Sequence, residues 1–187
     1  MNVWLHSLAD RSERALTTGP GGDFQPSGSP DGRTIVFFSS RAGSADIWSV
    51  DVASGALTPL TKSAATDANP CFSPDGSRIA YQSDAGGRQE LWLMGRDGTD
   101  PRALTRSGVS GHFLRFTRDG RSVVFLAPGG AGRVMAVPVE GGERTRLFAF
   151  DDPRDRIDYP VLSPDGRSLV FDVFRPSGGD IWSLEGL

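Results

Sequence analysis

Four runs of apolar residues recur along the chain at nearly constant spacing: Thr34-Ile35-Val36-Phe37-Phe38, Arg78-Ile79-Ala80-Tyr81, Ser122-Val123-Val124-Phe125-Leu126 and Ser168-Leu169-Val170-Phe171. They are rich in β-branched and aromatic residues and lack the polar alternation of a half-solvated strand, so each predicts a strand buried on both faces. A turn precedes each run: Ser29-Pro30-Asp31-Gly32, Ser73-Pro74-Asp75-Gly76, Thr117-Arg118-Asp119-Gly120 and Ser163-Pro164-Asp165-Gly166. Proline presets the first central dihedral, aspartate bonds its own backbone and glycine accepts the left-handed position that ends the turn, which makes each tetrapeptide a hairpin corner. A second marker follows at fixed phase: Ile47-Trp48, Leu91-Trp92, Val134-Met135 and Ile181-Trp182, with Val3-Trp4 one period earlier.

Within one period the chemistry reads as four strands. A short strand such as Asn69-Pro70-Cys71-Phe72 enters the hairpin, the apolar run leaves it, a strand carrying the Trp marker follows, and a last segment such as Ala56-Leu57-Thr58-Pro59-Leu60-Thr61 closes the unit. Pro59 places that last strand at a sheet edge, where a missing donor costs nothing. Four-stranded units of about 44 residues, apolar on both faces, predict an all-β fold of propeller blades stacked face to face around an axis. The chain divides into a partial blade at 1–18, blades at 24–61, 68–105 and 112–148, and a last blade at 158–187 that lacks its fourth strand. Trp4, Trp48, Trp92, Met135 and Trp182 read as core between blades, because replacement of Trp by Met keeps volume and loses stacking.

Composition narrows the function classes. Gly 24 and Pro 13 in 187 residues exclude a helical bundle, and a net charge of −3 offers no basic field for nucleic acid. A single cysteine, Cys71, excludes an internal disulfide, and two histidines, His6 and His112, exclude most histidine-built metal sites. No run approaches the length of a membrane span, and Met-Asn-Val-Trp-Leu-His lacks the features of a signal peptide, although a leader further upstream would change the compartment.

The stretch from Asn69 through Ser73-Pro74-Asp75-Gly76 to Tyr81, with Leu91-Trp92-Leu93-Met94 and Arg102-Ala103-Leu104-Thr105, resembles the TolB-type β-propeller repeat, and the resemblance runs from Trp4 to Leu187. It implies a six-bladed ring, of which this chain supplies about four blades. An open arc of that kind is read as a fragment of a longer chain, as an arc completed by a partner or second copy, or as a self-closed four-bladed ring. An open arc exposes apolar sheet faces and invites self-association. The third unit departs from the pattern, with Thr117-Arg118 for Ser-Pro, Met135 for Trp and Leu114 where other units carry Pro26, Pro70 and Pro160. The Gly-His and Trp-Asp marks of WD repeats and the spaced Asp-Gly of the sialidase box are absent.

Propellers carry function on loops and in the axial channel. The starts of the innermost strands place Gln25, Asp67, Asn69, His112, Asp158 and Tyr159 at the channel mouth, as partner contacts or as caps on strand amides. The four turn aspartates, Asp31, Asp75, Asp119 and Asp165, with Gly32, Gly76, Gly120 and Gly166, lie a blade apart and cannot share a calcium ion, so they read as turn structure. No metal or other cofactor is expected. Neither Gly108-Val109-Ser110-Gly111 nor Ser27-Gly28-Ser29 has the spacing of a nucleophile elbow, and the glycine clusters at 19–22 and 129–132 lack a phosphate-loop lysine. The expectation is a non-enzymatic protein-binding module. The alternative is a sensor or gating propeller of a larger peptidase or kinase.

Overall fold

The computed structural model describes residues 1–129, 132–152, 154–163, 165–175 and 178–185, with the side chains of 112, 158, 159 and 178–185 outside that description. Each full repeat forms one antiparallel four-stranded sheet whose strands follow chain order. These are β3 (Asp23–Gly28), β4 (Thr34–Ser39), β5 (Asp46–Asp51) and β6 (Leu57–Pro59); β7 (Asp67–Phe72), β8 (Arg78–Ser83), β9 (Glu90–Gly95) and β10 (Arg102–Ala103); and β11 (Ser110–Phe116), β12 (Ser122–Leu126), β13 (Val134–Pro138) and β14 (Thr145–Phe148). At the beginning β1 (Trp4–His6) and β2 (Glu13–Ala15) pair with each other, and at the end β15 (Arg156–Leu162), β16 (Ser168–Arg175) and β17 (Gly178–Glu185) form a three-stranded sheet. β2 pairs with β1 and β17 with β16, and among the described residues no strand joins the two end sheets, so the arc is open and the self-closed ring is set aside. No helix of the described residues is long and apolar enough to cross a membrane.

The turns are alike at atomic level. In each, the Ser or Thr hydroxyl donates to the aspartate Oδ1 at 2.5, 2.5, 2.7 and 2.5 Å, and the backbone N–H after the glycine donates to the same oxygen at 3.0 Å. The glycines have φ of 69, 69, 69 and 72°, a region that penalises any Cβ. Thr117-Arg118 therefore holds the same turn as Ser-Pro.

Four apolar layers separate the five sheets. Val3 and Leu16 meet Phe37 and Val50; Val36 and Ile47 meet Ile79, Tyr81 and Met94; Leu91 and Leu93 meet Val123, Phe125 and Val137; Val124 and Val134 meet Leu169, Phe171 and Val173. Trp48, Trp92 and Met135 pack half-buried against successive layers. Trp4 does not belong to a core: it is 62% exposed, because it occupies the outward face of the first sheet, where no described sheet stands. The Trp182 side chain lies outside the described residues. β4, β8 and β12 are buried on both faces, as their apolar runs imply, whereas β16 alternates, leaving Val170 and Phe174 43% and 58% exposed on the outer side of the last sheet.

A threonine at the outer edge of three sheets ties the strands together. Thr17, Thr61 and Thr105 accept from the backbone N–H of Val3, Ile47 and Leu91, each at 2.9 Å. Their Leu-Thr dipeptides recur at 44-residue spacing, the signal by which these caps are visible in the sequence.

Candidate functional site at the inner strands

The innermost strands β3, β7, β11 and β15 lie side by side, and each carries a break in register with its partner. In β3 and β7 an extra residue is accommodated just before Pro26 and Pro70, and there Gln25 and Asn69 take φ of 50 and 54°. Side chains other than glycine visit this region at a cost, and asparagine tolerates it better than glutamine. Sequence reading placed both at strand entrances; the left-handed backbone comes from the bulge and is not visible in residue identity.

Asn69 is 6% exposed and its Nδ2 donates to Gln82 Oε1 at 2.7 Å, while Gln82 Nε2 donates to the Gly111 carbonyl at 3.1 Å. This bridge crosses from β7 through β8 to β11 and makes Gln82, which no sequence motif marked, part of the site. On the described inner strands three acceptors remain buried without a partner: Gln25 Oε1, Asn69 Oδ1 and Asp67 Oδ1. Buried polar groups are ordinarily satisfied, so open acceptors on two adjoining strands are available to incoming donors. The side chains of His112, Asp158 and Tyr159 lie outside the described residues.

Asp67 is the electrostatic exception. One repeat earlier, Asp23 is 4% exposed and receives Arg41 Nη2 at 2.8 and 2.7 Å and the Thr17 hydroxyl at 2.5 Å. Burial opposes its charge, but Arg41 with the Ser39 and Thr17 hydroxyls outweighs that cost and holds its carboxyl below the ordinary range. Asp67 is 3% exposed, and Ala85 stands where Arg41 stands: the N–H of each donates to the preceding serine hydroxyl, Arg41 to Ser39 and Ala85 to Ser83. Burial pushes the Asp67 carboxyl up, Ser83 and Thr61 offset part of this, and the charges of Asp46 and Asp84 add to it.

Two further buried carboxylates are occupied. Glu90 accepts from the Thr105 hydroxyl and the Gly108 amide, and Asp155 pairs with Arg175 at 3.2 Å. Burial raises the Cys71 thiol to about 12, as befits a core residue.

The TolB beta propeller domain family matches residues 1–185. The chain belongs to that family. The structure of TolB from Acinetobacter baumannii superposes with a TM-score of 0.77 at 22% identity, over 98% of this chain and 46% of that one. The putative TolB from Agrobacterium tumefaciens gives 0.63 at 29% identity over 73% and 52%. A puromycin-hydrolysing peptidase from Mycobacterium tuberculosis gives 0.73 at 18% identity over 92% of this chain and 29% of that one, a likeness of fold alone. The chain thus spans about half the length of the TolB structures, consistent with a partial propeller. No curated protein sequence matches it.

Proposed function

We propose that this TolB-like arc is a non-enzymatic module that binds a protein segment at the entrance of its inner strands. The observation that carries the reading is the trio of buried, unpartnered acceptors on Gln25, Asp67 and Asn69, on adjoining inner strands of neighbouring sheets. Two amide oxygens and a carboxylate call for a partner rich in N–H donors, namely backbone amides, lysine or arginine. The bulged backbone and the Asn69–Gln82–Gly111 bridge hold the acceptors in place before binding, which lowers the ordering cost.

The test uses random peptides displayed on phage, selected on the purified chain and then titrated as free peptides. Selection of donor-rich sequences that bind about tenfold more weakly to Asn69→Gly supports the reading. Glycine keeps the left-handed backbone at both Asn69 and Gln25. Asn69→Gly also removes the buried donor to Gln82 and should cost about 1 to 3 kcal/mol, whereas Gln25→Gly breaks no side-chain hydrogen bond among the described residues and separates loss of binding from loss of stability. Selected peptides that bind Asn69→Gly and Gln25→Gly undiminished would overturn it.

A second reading rests on the peptidase match: an arc of this shape gating or positioning a catalytic domain elsewhere in a longer protein. The donor-binding entrance then faces that domain's own segment, and fusing or adding that domain would compete with the selected peptides.

A further inference from the structure

The hairpin turns pack one on another around the arc. A Cβ built on Gly76 would stand 3.1 Å from the Pro30 ring, and one on Gly120 would stand 3.5 Å from the Pro74 ring, so each proline covers the glycine of the next turn. The series breaks after the third turn, where Arg118 replaces proline. Around Gly166 no described atom lies within 4 Å of that position. A cleft of about 870 Å³ opens there between the third and last full-length hairpins, of the size that takes a drug-sized ligand.

Phe116, Val124, Leu147 and Leu162 supply apolar lining to the cleft. Two arginines line it. Arg115 is paired in register beside Val124 and so shares its face, with one donor spent on the Leu114 carbonyl at 2.7 Å. Arg118 is exposed and forms no hydrogen bond or ion pair with a described residue, acting on Asp165 through charge alone. The lining carboxylates, Asp119 and Asp165, each give Oδ1 to two donors of their own turn. Donors free to reach a ligand therefore come from the arginines, and their planar guanidinium groups match a carboxylate.

We infer that this cleft is a second binding site, for an amphipathic carboxylate whose apolar body fills the gap left by the missing proline and whose acid group meets Arg118 and Arg115. The site lies at the hairpin turns, whereas the acceptor-rich entrance lies at the opposite end of the inner strands, and it calls for the opposite charge in its ligand.

Calorimetric titration with 4-phenylbutyrate tests it, with 4-phenylbutyramide as the uncharged comparison and acetyl-Phe-Glu amide as the same groups on a peptide. The acid should bind at least about tenfold more tightly than the amide, and Arg118→Gln should remove most of that difference. The double change Thr117→Ser with Arg118→Pro gives this turn the Ser-Pro sequence of the other repeats, should cover Gly166 and should abolish binding without lowering the melting temperature. Binding of phenylbutyrate assigns a free acid, and binding of the dipeptide alone assigns an acidic peptide segment; both support the site. Equal binding of acid and amide, undiminished binding to Arg118→Gln, or no binding of any probe by the folded parent chain would overturn it. The Arg118→Gln comparison decides the matter even where the double variant fails to fold.

Discussion

Asp23 and Asp67 stand in the same place in successive repeats, equally buried, yet one has an arginine and the other an alanine two residues beyond its serine partner. A buried carboxylate without a cation favours its protonated form, so Asp67 binds its proton more tightly in the folded chain than in the unfolded one. Its contribution is present in full below the unfolded value near 3.8 and is lost as pH climbs through the raised folded value. Asp23 and the turn aspartates Asp31, Asp75, Asp119 and Asp165 are lowered, and their contributions are lost in the other direction, as pH falls below that same unfolded value. Stability should therefore peak at weakly acidic pH. Asp67→Asn should flatten only the alkaline side of the profile, as followed by thermal melts from pH 3 to 8, and an unchanged alkaline side would show that Asp67 is satisfied in solution. Ala85→Arg should supply the missing cation and raise stability near neutral pH by about 1 to 2 kcal/mol. It should also weaken any donor-rich peptide at the inner-strand entrance, since the acceptor would be taken.

At the scale of strands and turns, the edge threonines and the sheet-facing tryptophans make separable contributions. Thr105→Val removes the acceptor for the Leu91 amide and the hydroxyl that reaches Glu90 at 2.6 Å, in a place only 2% exposed. A buried donor left unpaired costs about 1 to 3 kcal/mol, which urea unfolding will read directly. Trp92 lies against Tyr81, ring centroids 6.4 Å apart, within the layer between two full sheets, and Trp92→Ala should cost about 3 to 5 kcal/mol. A loss below 1 kcal/mol would mean that the layer collapses around the gap. These elements were legible because a blade's needs are local: a turn tetrapeptide, an apolar run and a large residue at fixed phase. The inter-sheet placement of Trp48, Trp92 and Met135 followed from that phase. What escaped was set by neighbours in space. Trp4 carries the same mark as Trp48 but has no described sheet to cover it, and the alternation in β16 has the same cause. The bridge through Gln82, the cation on Asp23 and the missing cation on Asp67 depend on which side chains of adjoining sheets meet. A reading of one repeat at a time does not show them.

For the molecule as a whole, the governing fact is that stacking leaves one face over at each end of the arc. Interior sheets bury Val36, Ile79, Val123 and Val124 on both sides, whereas the first sheet turns Trp4 outward and the last turns Val161, Val170 and Phe174 outward, at 62, 43 and 58% exposure. Burying a side chain of this kind is worth about 1.5 to 3 kcal/mol, so the outer face of the last sheet alone represents several kcal/mol of unused burial. Two copies of the chain can recover it by bringing such faces together. The chain as it stands, purified alone, should therefore associate reversibly. Sedimentation equilibrium across a hundredfold range of concentration should show the mean mass rising above 20.0 kDa. Val170→Lys combined with Phe174→Glu places charge on that face without touching an interior layer, and should shift the population toward monomer with little change in unfolding free energy. A loss of stability instead would show that these side chains pack within the chain itself. A parent chain that stays monomeric at every concentration would show that neither end face is sticky enough to associate, and would remove self-association from the ways this arc can cover its ends.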